Sequence, residues 1–144
     1  MANFKQGLYT PKHPEKYNGD ITKIRYMSSW EFRFNIFLDN NPNILEWASE
    51  EIAIPYIKPT DGKIHKYYVD YYIKYKTCKG EIKTELVEIK PAAQTTPSKS
   101  RNSNTRLYEN ITYAINQSKW ESAKQFAEQR GWTFRIITEH QLFK

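Results

Sequence analysis

Three acidic residues of this chain sit where local pattern calls for something apolar. Glu31 lies four residues after Met27 and three before Phe34, so it leaves the apolar arc of a helix-patterned segment. Asp70 lies between Tyr68 and Tyr72 in a strand-patterned segment, and Glu88 stands two residues before Lys90 in another. Glu88 and Lys90 therefore leave the same side of a sheet, while Val87 and Ile89 go to the other. A carboxylate at a core-like position costs free energy unless a cation offsets it. Two or three that converge suit a hard divalent cation, which prefers oxygen ligands. A lysine beside them can hold an attacking water and help deprotonate it, and phosphodiester hydrolysis uses this combination. Taken alone, Glu88-Ile89-Lys90 is more often a solvated ion pair worth about 0–1 kcal/mol, so the argument rests on all three acids in the order helix, strand, next strand.

The elements that must position them read as follows. Residues 1–20 form an arm punctuated by Gly7, Pro11, Pro14 and Gly19. Asp20 stands as N-cap to a helix predicted over 21–38, with Tyr26, Met27, Trp30, Phe34, Phe37 and Leu38 on one arc and Ile24 at its edge. Asn40-Asn41-Pro42 ends it. Residues 44–57 read as one or two strands broken near Ser49-Glu50, and Pro59-Thr60-Asp61-Gly62-Lys63 is a turn. Residues 64–76 alternate as one strand, with Tyr67, Val69, Tyr71, Ile73 and Tyr75 on its core face. Residues 81–90 form the next strand. The segment 91–106 holds Lys99, Arg101 and Arg106 with no acid and reads as a basic loop, a phosphate contact or simply a solvated connection. Two helices over 105–117 and 119–129 follow, then Arg130-Gly131 as a stop, a buried strand over 132–137, and a last helical turn capped by Thr138. The order α-β-β-β-α-β predicts a single α/β domain over 1–144, a mixed central sheet flanked by helices.

The 144 residues suffice for one core, and at 39% hydrophobic and 26% charged they are too apolar for a disordered tail. No stretch is long enough to cross a bilayer, and Met1 to Gln6 lacks the apolar segment of a signal peptide, so no membrane association is expected. One cysteine, Cys78, excludes an intrachain disulfide and a cysteine zinc site. His13, His65 and His140 lack paired metal-ligand spacing. A net charge of +6 points toward a polyanionic partner, DNA above all. The rings of the 67–75 strand suit sheet packing better than base stacking, and Trp120, Phe126, Trp132 and Phe134 are core candidates.

As a set, Glu31, Val69-Asp70 and Glu88-Ile89-Lys90-Pro91 resemble the PD-(D/E)-x-K nuclease superfamily, with Val69 where proline usually precedes the aspartate. Ser28-Ser29-Trp30-Glu31, Trp47-Ala48-Ser49-Glu50-Glu51 and Gly131-Trp132-Thr133-Phe134 are similar to the endonuclease subunit of certain bacterial transposases. Lys16-Tyr17-Asn18-Gly19-Asp20, Glu46 to Ile52, Ile54-Pro55-Tyr56 and Asp61-Gly62-Lys63 extend the resemblance to the head completion nucleases of T-even-type tailed phages. The resemblance implies a restriction-endonuclease-like fold and a Mg²⁺-dependent DNA endonuclease, with Mn²⁺ able to substitute, acting on packaged DNA ends in the host cytoplasm and virion. It implies Asp70, Glu88 and the Ile89 carbonyl as metal ligands, Lys90 as the holder of the nucleophilic water, and Glu31 as a ligand directly or through water. Glu50 is a second candidate acid, expected to brace the strand or meet a basic side chain. Phage portal or neck proteins and a second copy of the chain are partners left open. So are two other readings: a non-catalytic DNA-end-binding or portal-associated virion protein, and a freestanding homing or junction-resolving nuclease.

Overall fold

The computed structural model describes residues 6–142, so the first five residues of the arm lie outside it. In chain order its elements are β1 (Gly7–Leu8), β2 (Arg25–Tyr26), α1 (Ser29–Asn40), β3 (Ile44–Ser49), β4 (Ala53–Ile57), β5 (Ile64–Tyr68), β6 (Tyr71–Lys76), β7 (Ile82–Ile89), α2 (Ser103–Glu128), β8 (Thr133–Ile137) and α3 (Glu139–Leu142), with 3-10 turns at Pro14–Lys16 and Ala92–Thr95. The central sheet runs β3-β6-β7-β8, antiparallel except for the parallel β7–β8 pair. Its elements follow the expected order, α1-β3-β6-β7-α2-β8. Among the described residues no helix is long and apolar enough to cross a membrane.

Alternation along β7 builds the two cores. Val87 and Ile89 point toward α1, into a cluster with Phe34, Leu38, Trp47, Tyr71 and Ile73. Leu86 points toward α2, into a cluster with Ile54, Tyr67, Val69, Trp120 and Ala123. The segment 64–76 is two strands, not one. β5 pairs with β4 in a separate ribbon, while β6 joins the central sheet. The break at Val69-Asp70 resets the alternation, so Tyr67 and Val69 face α2 whereas Tyr71 and Ile73 face α1. The single core face expected for all five residues is thereby corrected.

The helix expected from Ile21 begins at Ser29. Asp20 instead closes a local turn, accepting from the Thr22 N–H and hydroxyl, and Arg25–Tyr26 pair with Gly7–Leu8. Ser28 is the N-cap: its Oγ accepts from the Glu31 N–H at 3.2 Å, and Glu31 Oε1 accepts from the Met27 N–H at 2.8 Å. At the other end Lys16 donates to the carbonyls of Leu38, Asp39 and Asn41 at 2.8, 2.9 and 2.8 Å, so the arm caps α1 with a cation. The two expected C-terminal helices are one, α2. Nothing between Gln117 and Lys119 breaks a helix, and Ser118 Oγ bonds the Ile57 carbonyl at 2.7 Å, tying α2 to the ribbon. Asn102 caps α2, which shortens the basic segment and puts Arg106 on the helix. Thr138 receives the His140 N–H, the cap expected for the last turn.

Candidate active site

The site lies where β3 ends, β6 begins and β7 ends. The register Tyr71↔Val87, carried one pair further, sets Asp70 directly opposite Glu88. Directly opposed residues of an antiparallel pair share a face, and like charges there repel. The ladder breaks at this point: Asp70 leaves the strand and its Oδ2 accepts the Ile89 N–H at 2.9 Å. Its carbonyl accepts the Glu50 N–H at 3.1 Å. Glu50 itself adopts a left-handed φ of 53°, alone among the described residues other than glycine, which turns the chain out of β3 and brings its carboxylate toward the same edge. From the opposite core, the Tyr71 hydroxyl reaches the Glu31 carbonyl at 3.1 Å and Asn35 Oδ1 at 2.6 Å, fixing the first turn of α1 over the start of β6.

Glu88 is only 5% exposed, yet it is an acid. Its Oε1 accepts from the Tyr67 hydroxyl, and its Oε2 lies 3.6 Å from Lys90 Nζ. Burial and then the Glu88 charge hold the Asp70 carboxyl well above the usual carboxylate range, against the Ile89 hydrogen bond that favours the ionised form. Burial raises Glu31 as well. Its Met27 hydrogen bond opposes this, while the charges of Glu50 and Glu88 add to it and Lys90 relieves it. Glu50 is raised by burial first and by Glu88, with Arg25 opposing. Four carboxylates thus sense one another across this edge, with Lys90, Arg25 and Lys119 as cations near them.

That excess of buried negative charge is the setting a divalent cation relieves. Among the described residues Asp70 Oδ1 receives no hydrogen bond and Glu88 Oε2 meets only Lys90, so both have an oxygen to offer. Among the described residues, however, no three His, Cys, Asp or Glu side chains already form a cage. The carboxylate oxygens of Asp70 and Glu88 are donors of the type that suits an oxygen-bound cation.

Of the residues singled out in the sequence, Glu31, Asp70, Glu88, Ile89 and Lys90 come to this one edge. Lys99, Arg101 and Arg106 do not. They belong to the segment before α2 and its first turn, where Arg106 Nη1 bonds the Ser100 carbonyl at 3.1 Å. That segment and α2 enclose a groove of about 740 Å³ that starts at Pro91, next to Lys90. Two residues in or beside the site carry no local signal. Tyr67 reads as an ordinary strand tyrosine, and Lys119 reads as a solvated helix residue. Yet Lys119 Nζ lies 5.7 Å from the ring centres of both Tyr56 and Tyr67, and it senses Glu88, Lys90 and Asp70.

Over 139 residues the sequence is 40% identical to the head completion nuclease of Enterobacteria phage T4, covering 92% of this chain and 90% of the relative. The family model described as "TnsA-like endonuclease N terminal" matches residues 41–139, from the end of α1 to the start of α3 and so across Asp70, Glu88 and Lys90. The chain belongs to the TnsA-like endonuclease N-terminal family.

Proposed function

We propose that this protein is a Mg²⁺-dependent DNA endonuclease of the PD-(D/E)-x-K type that trims or cuts packaged DNA ends while a phage head is completed. The observation that carries the reading is Asp70 set opposite Glu88, with Lys90 3.6 Å from the Glu88 carboxylate. The name of the T4 relative supports the nuclease role and its place in head completion, and a phage-encoded relative supports action in the host cytoplasm and the virion. Mn²⁺ is expected to substitute for Mg²⁺, since both take oxygen ligands.

Asp70 and Glu88 would hold the cation, with the Ile89 carbonyl at the end of β7 and Glu31 completing the set directly or through water. When bound, the cation polarises a phosphoryl oxygen and acidifies water. Lys90 holds the attacking water by hydrogen bonding and steadies the charge that develops on the phosphate. Tyr67 donates to the Glu88 carboxylate and fixes it, and burial and then the Glu88 charge push its phenol far above the ordinary range. Lys99, Arg101 and Arg106 add affinity for phosphates without reading sequence. The test is incubation of the purified protein with supercoiled and linear DNA, with and without Mg²⁺, beside Asp70→Asn. Nicking or cutting only with Mg²⁺, lost in the variant, is the expected result. DNA binding with no metal-dependent cleavage of any DNA form makes the protein a non-catalytic DNA-end binder instead.

A further inference from the structure

Lys119 is a half-buried ammonium that the site described above does not use. It projects from α2, which packs across β4, β7 and β8, and its charge sits over the faces of Tyr56 and Tyr67 at 5.7 Å from each ring centre. Glu88 and Asp70 attract it, and Lys90 and Lys58 repel it. No hydrogen bond or ion pair holds its Nζ among the described residues, so its three donors have no protein acceptor. One turn earlier on the same helix face is Asn116, only 7% exposed and likewise without a hydrogen bond among the described residues. Its amide lines the inner wall of the groove that begins at Pro91. An ammonium held over two rings beside a cluster of acids, with a polar amide one turn away at the groove wall, has donors to offer an acceptor from outside the chain.

Resting on the nuclease reading, we infer that Lys119, with Asn116 beside it, binds a phosphate oxygen of the DNA strand being cut, and that this strand continues from the acidic edge into the groove along α2. The surroundings choose the ligand. A metal would be repelled by the ammonium, whereas an anion with acceptor oxygens suits it, and the groove that begins beside Lys90 lets that anion be one phosphodiester of a longer strand. The groove supplies what a strand needs beyond that: the hydroxyls of Thr105 and Thr112 for phosphate and sugar, and the exposed ring of Tyr108 for a base. Lys119 then touches substrate from the helix side, and Lys90 from the strand side.

The test compares Lys119→Met, which keeps the stem over the two rings, with Lys119→Arg, which keeps the charge. Binding of a fluorescein-labelled DNA duplex is followed over a range of salt concentrations, alongside cleavage and melting temperature. In Lys119→Met the slope of log affinity against log salt should become shallower by about 1, with weaker binding and slower cleavage at low DNA and an unchanged melting temperature. Lys119→Arg should restore the slope. An unchanged slope in Lys119→Met overturns the inference, as does a melting temperature lowered equally in both variants with no rescue of the slope by arginine. A wild-type protein that binds and cuts DNA while Lys119→Met matches it defeats this inference alone. A wild type that does neither defeats the nuclease reading and this inference with it.

Discussion

Replacing Tyr67 by Phe removes one hydroxyl and leaves its ring in place under Lys119. The Glu88 carboxylate, 5% exposed, then keeps Lys90 at 3.6 Å as its remaining partner. A hydrogen bond to a buried charged group is worth about 1.5–3 kcal/mol, so the variant should be less stable by that amount in urea denaturation without metal. A divalent cation neutralises the same carboxylate. The deficit should therefore shrink when unfolding is repeated in saturating Mg²⁺, which is a linkage that ordinary packing loss does not show. A partner that orients a metal ligand is worth roughly 10–100-fold in metal affinity or activity, and cleavage should fall within that range. The ring contributes nothing to this difference, because phenylalanine fills the same space. If the variant matches wild type in stability and cleavage, Tyr67 does not orient Glu88 and the electrostatic picture of the site is wrong.

Asp39 is fully buried, and its carboxylate accepts from Tyr9 Oη, the Lys12 N–H and the His13 N–H at 2.7, 2.7 and 3.0 Å. Burial raises its pKa, but these bonds outweigh burial and leave it below the ordinary 3.8. Its contribution is complete above pH 3.8 and is lost as pH falls from there through the lower folded value, and Asp39→Asn should flatten acid unfolding in that window. Asp39→Ala, which strands these donors, should cost about 2–4 kcal/mol in chemical denaturation. Glu50→Gly should relieve the left-handed backbone and gain up to about 1 kcal/mol in thermal unfolding while lowering cleavage. Equal or better cleavage would remove Glu50 from the site. Neutralising Lys99, Arg101 and Arg106 together should make the salt slope of DNA binding shallower by about 2–3 with no sequence dependence, and an unchanged slope would place the phosphate contacts elsewhere.

Much of the chemistry is legible in the sequence because strand parity is local. Glu88 and Lys90 share a face for the same reason that Val87 and Ile89 face the opposite core. The segment 64–76 misleads because its alternation is unbroken in composition. The break is made by long-range bonds, from Ile89 N–H to Asp70 and from Glu50 N–H to its carbonyl, which no local pattern records. The start of α1 is blurred because Tyr26 and Met27 continue the apolar arc backwards through a turn and a short strand. Only the cap fixes it, in which Ser28 Oγ accepts from the Glu31 N–H and Glu31 Oε1 from the Met27 N–H. That cap also gives Glu31 a structural task beside its place at the acidic edge. Lys119 is invisible for a different reason: its neighbours Tyr56, Tyr67 and Glu88 come from elements that α2 meets only on folding.

Lys90 separates an enzyme from a binder most directly, because Lys90→Ala removes a cation and leaves Asp70 and Glu88 intact. Mg²⁺ titration by calorimetry and nicking of supercoiled DNA should be measured on this variant beside Asp70→Ala. Lys90→Ala should bind Mg²⁺ as well as wild type and nick about 10²-fold more slowly or worse, while Asp70→Ala should lose both Mg²⁺ binding and nicking. Nicking by Lys90→Ala at the wild-type rate, or Mg²⁺-dependent nicking by Asp70→Ala, would contradict the roles assigned to this edge of the sheet.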